Sequence, residues 1–587
     1  MKLRVLRTMC SCWIVAAITI FGLSGCGAEN NDNEMQTSIS KDNSETDEKS
    51  IESKGEKDMD ISKKVKLNLS NHQIFNDTNN DGYGEFEGFG TSLCWWANRL
   101  GYSTELTEQA AEAFYNADTG LGMNIGRYNI GGGDNVTTMD VTVTMQEKNP
   151  FLHKEHIRRS DSVVPGYATD VTKIDLDNNS KEYYEENFAR ADFDCGFAWN
   201  YDWEADKNQM NILKAAADKA GDEFIGEAFS NSPPYFMTVS GCSSGNVDGS
   251  EDNLREDSYR AFACYMADVI EHWSKEGVIN FQSVDPMNEP ATSYWSAFSE
   301  KQEGCHFSQG ESQSKILIEL NNELKNKGID IVICGTDETS IDTANVSFNL
   351  LSDEAKEILD RIDTHSYMGT LRETLRKTAE ENGKNLWMSE VDGTYTMSKK
   401  TGAMYAALGF ADAIRQDLNG MFPTAWIMWD AVDVHVDSHN QYDTCTRVQA
   451  DKIIADGDPF WGIAIADHDT KELLLSKKYY AFGQFSKFIR PGYCLVESGE
   501  NTVAAYNPEE SCAVVVTINT SVDDQMWEFD ISDLGIDISE ISAIRTSGDI
   551  ETGENWKDVS DLDDIRIDGQ KFDALVKGAS ITTYIIK

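Results

Sequence analysis

Two carboxylates stand out from the 100 acidic residues of this 587-residue chain. Glu289 lies in Val284-Asp285-Pro286-Met287-Asn288-Glu289-Pro290, and Glu390 in Leu386-Trp387-Met388-Ser389-Glu390-Val391. Each closes a short apolar run of strand character, which presents the carboxyl group at a strand end. Two carboxyl groups facing one cleft are the minimum equipment for splitting a glycosidic bond. One protonates the departing oxygen, and the other attacks the anomeric carbon or activates a water. The two roles need separated pKa values, with Glu289 protonated and Glu390 ionised. Arg127, closing another apolar run, is placed to keep Glu390 charged. A single Glu in so acidic a chain is ordinarily a solvated surface charge, so the argument rests on the two together.

The elements that must carry these residues alternate. Eight strand-like runs are Phe89–Leu93, Gly122–Ile130, Glu223–Asn231, Phe281–Asn288, Ile331–Asp337, Ile362–Tyr367, Leu386–Glu390 and Ala425–Trp429. Amphipathic helices separate them. One is expected from Asp206 to Ala220, with Asp206 and Gln209 as a capping box and Gly221 as its stop. A second places Phe262, Met266, Val269, Ile270 and Trp273 on one face and stops at Gly277. A third carries Ile316, Leu317, Leu320 and Leu324 before Gly328. Eight such units predict an α/β fold, a (β/α)8 TIM barrel over residues 76–489, whose strand ends line the active site. A doubly wound sheet is the alternative, but no Gly-rich phosphate loop follows the first strand. Strands four and seven lie roughly opposite across a closed barrel, so Glu289 and Glu390 converge over its mouth. The segment from Gly131 to about Glu204 lacks periodicity and carries Phe193, Phe197, Trp199, Tyr201 and Trp203. It reads as one wall of a cleft or as a small packed subdomain. After Arg490-Pro491-Gly492 only strands recur. An all-β sandwich side domain is expected from residues 64–75 plus 490–587, with Val65–Leu69 joining the C-terminal strands.

Net charge is −49, so the clustered Lys and Arg that grip a phosphate backbone are lacking, and nucleic acid is excluded as a partner. Docking on an anionic membrane through basic patches is excluded likewise. The 13 Trp, 21 Tyr and 25 Phe are a first hint of sugar binding, where flat aromatic faces grip the ring. Lys2, Arg4 and Arg7 precede an apolar run, Trp13 to Leu23, too short to span a bilayer. Leu23-Ser24-Gly25-Cys26 then resembles a bacterial lipobox, making residues 1–26 a lipoprotein signal peptide and Cys26 the lipidated residue. Residues 27–63, rich in Asn, Asp, Glu, Ser and Lys, read as a flexible acidic linker. The expected location is therefore the extracellular face of a bacterial membrane, reached only through the lipid anchor. Nine scattered body cysteines form no disulfide framework, and no Cys-x-x-Cys pair suggests structural zinc.

The longer motifs carry a resemblance. Asn288-Glu289-Pro290 with Glu390 looks like the retaining barrel glycosidases. Gly88-Phe89-Gly90-Thr91-Ser92-Leu93-Cys94-Trp95-Trp96-Ala97 resembles the first strand of the endo-β-1,6-galactanase branch of glycoside hydrolase family 30. So do Asn124–Gly132, Ser230–Met237 and Tyr480–Gly492. The resemblance spans about residues 65 to 587. It implies a retaining hydrolase of β-1,6-galactan with Glu289 as acid/base and Glu390 as nucleophile, their carboxyl groups about 5–5.5 Å apart. It implies no cofactor, no metal, and a polysaccharide or oligosaccharide as partner. Asn288 would bond a sugar hydroxyl near the reaction centre, and Tyr367 would hold Glu390. Trp429 would floor the cleaved sugar, while Trp95, Trp96 and Tyr235 would form walls. His365 belongs to the same region, as ligand or as structural support.

Two segments depart from the galactanase pattern. Asp77, Asn79 and Asp81 have the spacing that opens an EF-hand, but position twelve is Gly88, so a polar turn is the better reading than calcium. His435 and His439, in Asp433-Val434-His435-Val436-Asp437-Ser438-His439, would suit a metal-dependent hydrolase only with ligands on other strands. Other readings are a family member acting on β-1,6-glucan, xylan or a β-glucoside, and a non-catalytic carbohydrate-binding surface lipoprotein.

Overall fold

The computed structural model describes residues 60–133, 164–297, 302–438 and 444–587. The leader, Cys26, nearly all of the linker, His439 and part of the second loop lie outside the described residues. Eight parallel strands close into a barrel in chain order: Gly88–Ser92, Ile125–Asn129, Ile225–Phe229, Ser283–Asp285, Val332–Ser340, Arg361–Met368, Asn385–Glu390 and Ala425–Met428. The last pairs with the first, Ala425 opposite Gly88. All eight expected runs supply barrel strands.

The helices form as their apolar spacing requires. Tyr259–Lys275 buries Phe262, Met266, Val269, Ile270 and Trp273. Glu311–Lys327 buries Ile316, Leu317, Leu320 and Leu324, and Gly328 ends it at φ 68°, where its N–H reaches the carbonyls of Leu324 and Lys325. The helix after the second loop runs Lys207–Ala220, but its expected capping box is absent. Asp206 is drawn inward instead. It accepts from Tyr128 at 2.6 Å and from Gln209 at 2.5 Å, and Gln209 also bridges the main chain of Asn129. Burial pushes the Asp206 carboxyl up to about 8, because the charged form loses its water there.

The described part of the second loop is a packed subdomain. Ala168–Lys173, Arg190–Asp192 and Phe197–Tyr201 form a three-stranded sheet. Trp199 and Phe197 pack on Phe236, and Tyr201 stacks on Trp203 at 4.6 Å. A further small sheet, unexpected from sequence, follows strand eight and contains Val434–Val436 and Ala464–Asp467.

Beyond the barrel stand a four-stranded and a seven-stranded sheet around a core including Val65, Trp527, Phe529, Phe572 and Tyr584. The expected strand Val65–Leu69 is in fact two. Ile61–Lys66 runs parallel to Gln525–Asp530, and Asn68–His72 pairs with Cys494–Glu497 in the other sheet. Residues 61–63 therefore belong to a strand and not to the linker, since Gln525–Asp530 satisfies their main chain. The acidic turn commits both oxygens of Asp77 to main-chain N–H groups of Asp81 and Gly82, at 3.1 Å each. All nine body cysteines are free.

Helix Lys477–Ser486 seats the sandwich on the barrel. Trp556 donates its indole N–H to the Tyr480 carbonyl at 2.8 Å. Its ring lies so close to Gly483 that a Cβ there would stand 2.2 Å from it. Gly483→Ala should therefore force the two units apart and cost about 1–3 kcal/mol of stability. Denaturant unfolding checks this, and an unchanged midpoint would contradict it.

Candidate active site

Arg127, on the second strand, is fully buried and holds three carboxylates from three other strands. Its Nε donates to Glu227 at 3.0 Å, its Nη1 to Glu390 at 2.8 Å, and its Nη2 to Asp337. Arg361 holds Glu227 and Asp363 one layer away. Oxygens of Asp285, Asp337 and Asp363 lie within 4.8 Å of one another. Six buried carboxyl groups thus share Arg127, Arg361 and His365, so the interior must hold protons at neutral pH. Burial, then Asp337 and Asp363, push Asp285 well above the carboxylate range. Burial likewise lifts Asp363 to about 7 against the pull of Arg361. Burial would also raise Asp337, but Arg127 and His365 outweigh it and hold that group ionised.

Above this layer the sequence-singled residues converge. Glu289 and Glu390 each place an oxygen, with a ring nitrogen of His365, within 4.8 Å of one another. His365 Nδ1 lies 3.2 Å from Glu289 and 3.4 Å from Glu390, and its Nε2 lies 3.1 Å from Asp337. Burial would strip the His365 proton, but Glu390 and Asp337 raise it well above the ordinary imidazole value. Tyr367 donates to Glu390 at 3.1 Å. Burial pushes Glu390 up to about 7, opposed by His365 and Arg127 and aided by the charge of Glu289. The fixed guanidinium touches Glu390 and not Glu289, so Glu390 is the better seat for the pair's negative charge. Glu289 adopts φ 49°, a backbone region rare for residues with a side chain; its N–H donates to the Asp337 carbonyl at 2.8 Å.

An open pocket of about 370 Å³ lies over the pair. Trp95 and Trp429 line it, meeting edge to face at 5.1 Å. Asn288 is buried beside Glu289, and neither its amide nitrogen nor its oxygen has a protein partner. Two expected walls are elsewhere. Trp96 is wholly buried, donates to the Ser92 carbonyl and packs on Phe114. Adjacent residues on one turn face different ways, so only Trp95 reaches the cleft. Tyr235 packs against Phe236 in the main core and does not line the pocket.

Sequence reasoning missed Tyr294, Thr339, Asp392 and Trp461, all in the lining. Tyr294 donates to Glu289, five residues before it, a spacing that was open to inspection. Trp461 sits 6.0 Å from Trp95 on a loop with no periodic signal. Asp433 is engaged by the main-chain N–H groups of Trp461 and Gly462, and His435 pairs with His468 at 2.8 Å. Among the described residues this segment therefore gathers no metal-ligand set.

Residues 177–377 match the family model for O-glycosyl hydrolase family 30. The chain is 29% identical over 516 residues to an endo-beta-1,6-galactanase of Hypocrea rufa, covering 86% of this chain and 92% of that protein. It is 25% identical to an exo-beta-1,6-galactobiohydrolase of Bifidobacterium longum subsp. longum, over 77% of this chain and 34% of that one. The catalytic domain of a GH30 xylanase C from Talaromyces cellulolyticus shares the fold, with TM-score 0.61 and 18% identity, over 89% of this chain and 100% of that one. Taken with the paired carboxylates at the mouth of a closed barrel, these likenesses make the chain a glycosidase, similar over residues 177–377 to O-glycosyl hydrolase family 30.

Proposed function

We propose that this glycosidase hydrolyses β-1,6-linked galactan with retention of configuration. The observation that carries the mechanism is the short distance between Glu289 and Glu390, within 4.8 Å oxygen to oxygen. Retaining enzymes set their carboxyl groups about 5–5.5 Å apart, and inverting enzymes about 6.5–9.5 Å, to admit a water. In the first step Glu289 gives its proton to the glycosidic oxygen as the C1–O bond breaks. Glu390 forms an ester to C1 from the opposite face. In the second step a water attacks C1, Glu289 takes its proton, and the ester bond breaks to restore Glu390. Arg127 and Tyr367 hold Glu390 in place and stabilise its charge as it leaves. Asn288, buried beside Glu289 with neither amide atom held by the protein, is the candidate to bond a sugar hydroxyl, and Trp429 and Trp95 offer apolar faces.

Galactan as substrate is supported by the Hypocrea rufa relative, whose likeness runs over most of both chains. Incubating the protein without its first 59 residues with β-1,6-galactan, β-1,6-glucan and xylan, and sizing the products, tests it. Release from galactan is expected; release from xylan or glucan alone would move the specificity elsewhere in the family. By the same reading Cys26 carries the lipid that holds the enzyme at the outer face of a bacterial membrane. Leu23-Ser24-Gly25-Cys26 supports this, and fatty-acid labelling that survives Cys26→Ser would contradict it.

The two carboxyl roles separate chemically. Glu390→Ala and Glu289→Ala should each lower kcat by roughly 10²–10⁴-fold or more on a poor leaving group. Azide filling the space left at Glu390 should give an α-glycosyl azide. Azide filling the space left at Glu289 should trap the glycosyl-enzyme as a β-glycosyl azide. Exchange of these two products between the variants would reverse the assignment.

Arg127→Lys keeps a cation but cannot fork to three carboxylates. A weaker cation raises the Glu390 pKa, and activity needs its ionised form. The acid limb of the kcat/KM profile should therefore move to higher pH by on the order of one unit. An unmoved limb would remove Arg127 from this role.

A further inference from the structure

Lys478, the second residue of helix Lys477–Ser486, is only 2% exposed. A buried ammonium is costly unless its protons are satisfied, so its partners are informative. Its Nζ donates to the Gly393 carbonyl at 3.1 Å and to the Phe460 carbonyl, and it lies 4.0 Å from the centre of the Phe460 ring. Gly393 is three residues beyond Glu390, and Phe460 immediately precedes Trp461. The lysine therefore joins the loop after the seventh strand to the loop bearing an aromatic wall of the pocket.

The junction is reinforced from both sides. Gly393 N–H donates to the Trp461 carbonyl at 2.7 Å. Asp433 accepts from the N–H groups of Trp461 and Gly462 at 2.8 and 2.9 Å. A Cβ on Gly393 would stand 2.6 Å from the Trp461 carbonyl oxygen and 3.1 Å from Lys478 Nζ, so the two loops are in closest approach there. Burial lowers the lysine to about 7, and Asp433 and Asp392 pull the other way, which ties these carboxylates electrostatically to the same point. Asp392 and Trp461 both line the pocket, whereas Lys478 and Asp433 do not.

We propose that Lys478, together with Asp433, is a positioning residue that clamps the Asp392 and Trp461 loops in register with Glu390 and so sets the sugar-binding wall. This rests on the glycosidase reading and not on the identity of the glycan. Neither residue reaches the reacting atoms, so loosening the clamp weakens substrate binding and leaves bond cleavage largely intact.

Lys478→Met keeps the aliphatic stem and removes the donor. Hydrogen exchange at amides 391–394 and 460–463 should accelerate by about tenfold or more, with the remaining barrel amides unchanged. KM for whichever glycan the wild type cleaves should rise about tenfold while kcat stays within about threefold. Asp433→Asn, which replaces one of the two accepting oxygens with an NH2 donor facing an N–H group, should reproduce both effects and serves if Lys478→Met does not fold. Unchanged exchange in both segments would overturn the proposal. So would exchange raised uniformly through the barrel with a lowered Tm, the mark of a general stability role, or a loss falling on kcat rather than KM. A wild type that cleaves no β-glycan would sink the functional reading, while the exchange measurement would still decide the clamp.

Discussion

A guanidinium sealed inside a barrel is tolerable only if its surroundings answer its charge on every side, and Arg127 imposes that requirement on the whole site. Its three donors reach Glu227, Asp337 and Glu390, from strands three, five and seven. Removing one partner from such a buried set typically costs about 3–5 kcal/mol, because an uncompensated charge remains. The barrel interior is therefore a polar lattice at its catalytic end, and Glu390 cannot shift without disturbing the strands around it. His365, opposite, ties Asp337 to both Glu289 and Glu390.

From that lattice the two carboxylates acquire different characters. Glu390 is contacted by a permanent cation and by the Tyr367 hydroxyl, while Glu289 faces Tyr294 and His365. Burial works against ionisation at Glu390 and the cations work for it. The residue proposed to attack as an anion is thus anchored where the positive charge is fixed. The aromatic walls are a separate layer: Trp95, Trp429 and Trp461 pack on one another above the charges. On the proposed reading, that separation opens binding and bond cleavage to separate perturbation.

The barrel was legible because its strands are short apolar runs and several of its helices have an apolar face ending at a glycine such as Gly328. Glu390 and Tyr367 were legible because they close those runs, and a strand end fixes where a side chain goes; Arg127 instead lies mid-strand, and Glu289 follows a strand that stops at Asp285. Less was visible where tertiary contacts override local pattern. Asp206 and Gln209 have the spacing of a cap, yet Tyr128 and the Asn129 main chain draw both inward. Trp95 and Trp96 are equivalent as letters, but one faces the cleft and the other Phe114. Trp461 and Lys478 gave no local signal, because the loop at Gly393 that both meet lies far from them in sequence. The polar strands Glu554–Asp558 and Arg566–Asp568 carry little sequence signal because each lies at the edge of its sheet, with little apolar face to bury.

The central claim is that carboxyl groups this close work in two displacements through a glycosyl-enzyme. Proton NMR of the first-formed reducing end, taken before mutarotation, tests it most directly. The account predicts the β-anomer as the initial product, converting slowly to the equilibrium mixture. An α-anomer appearing first would mean a single inverting displacement, and would contradict the roles assigned to Glu289 and Glu390.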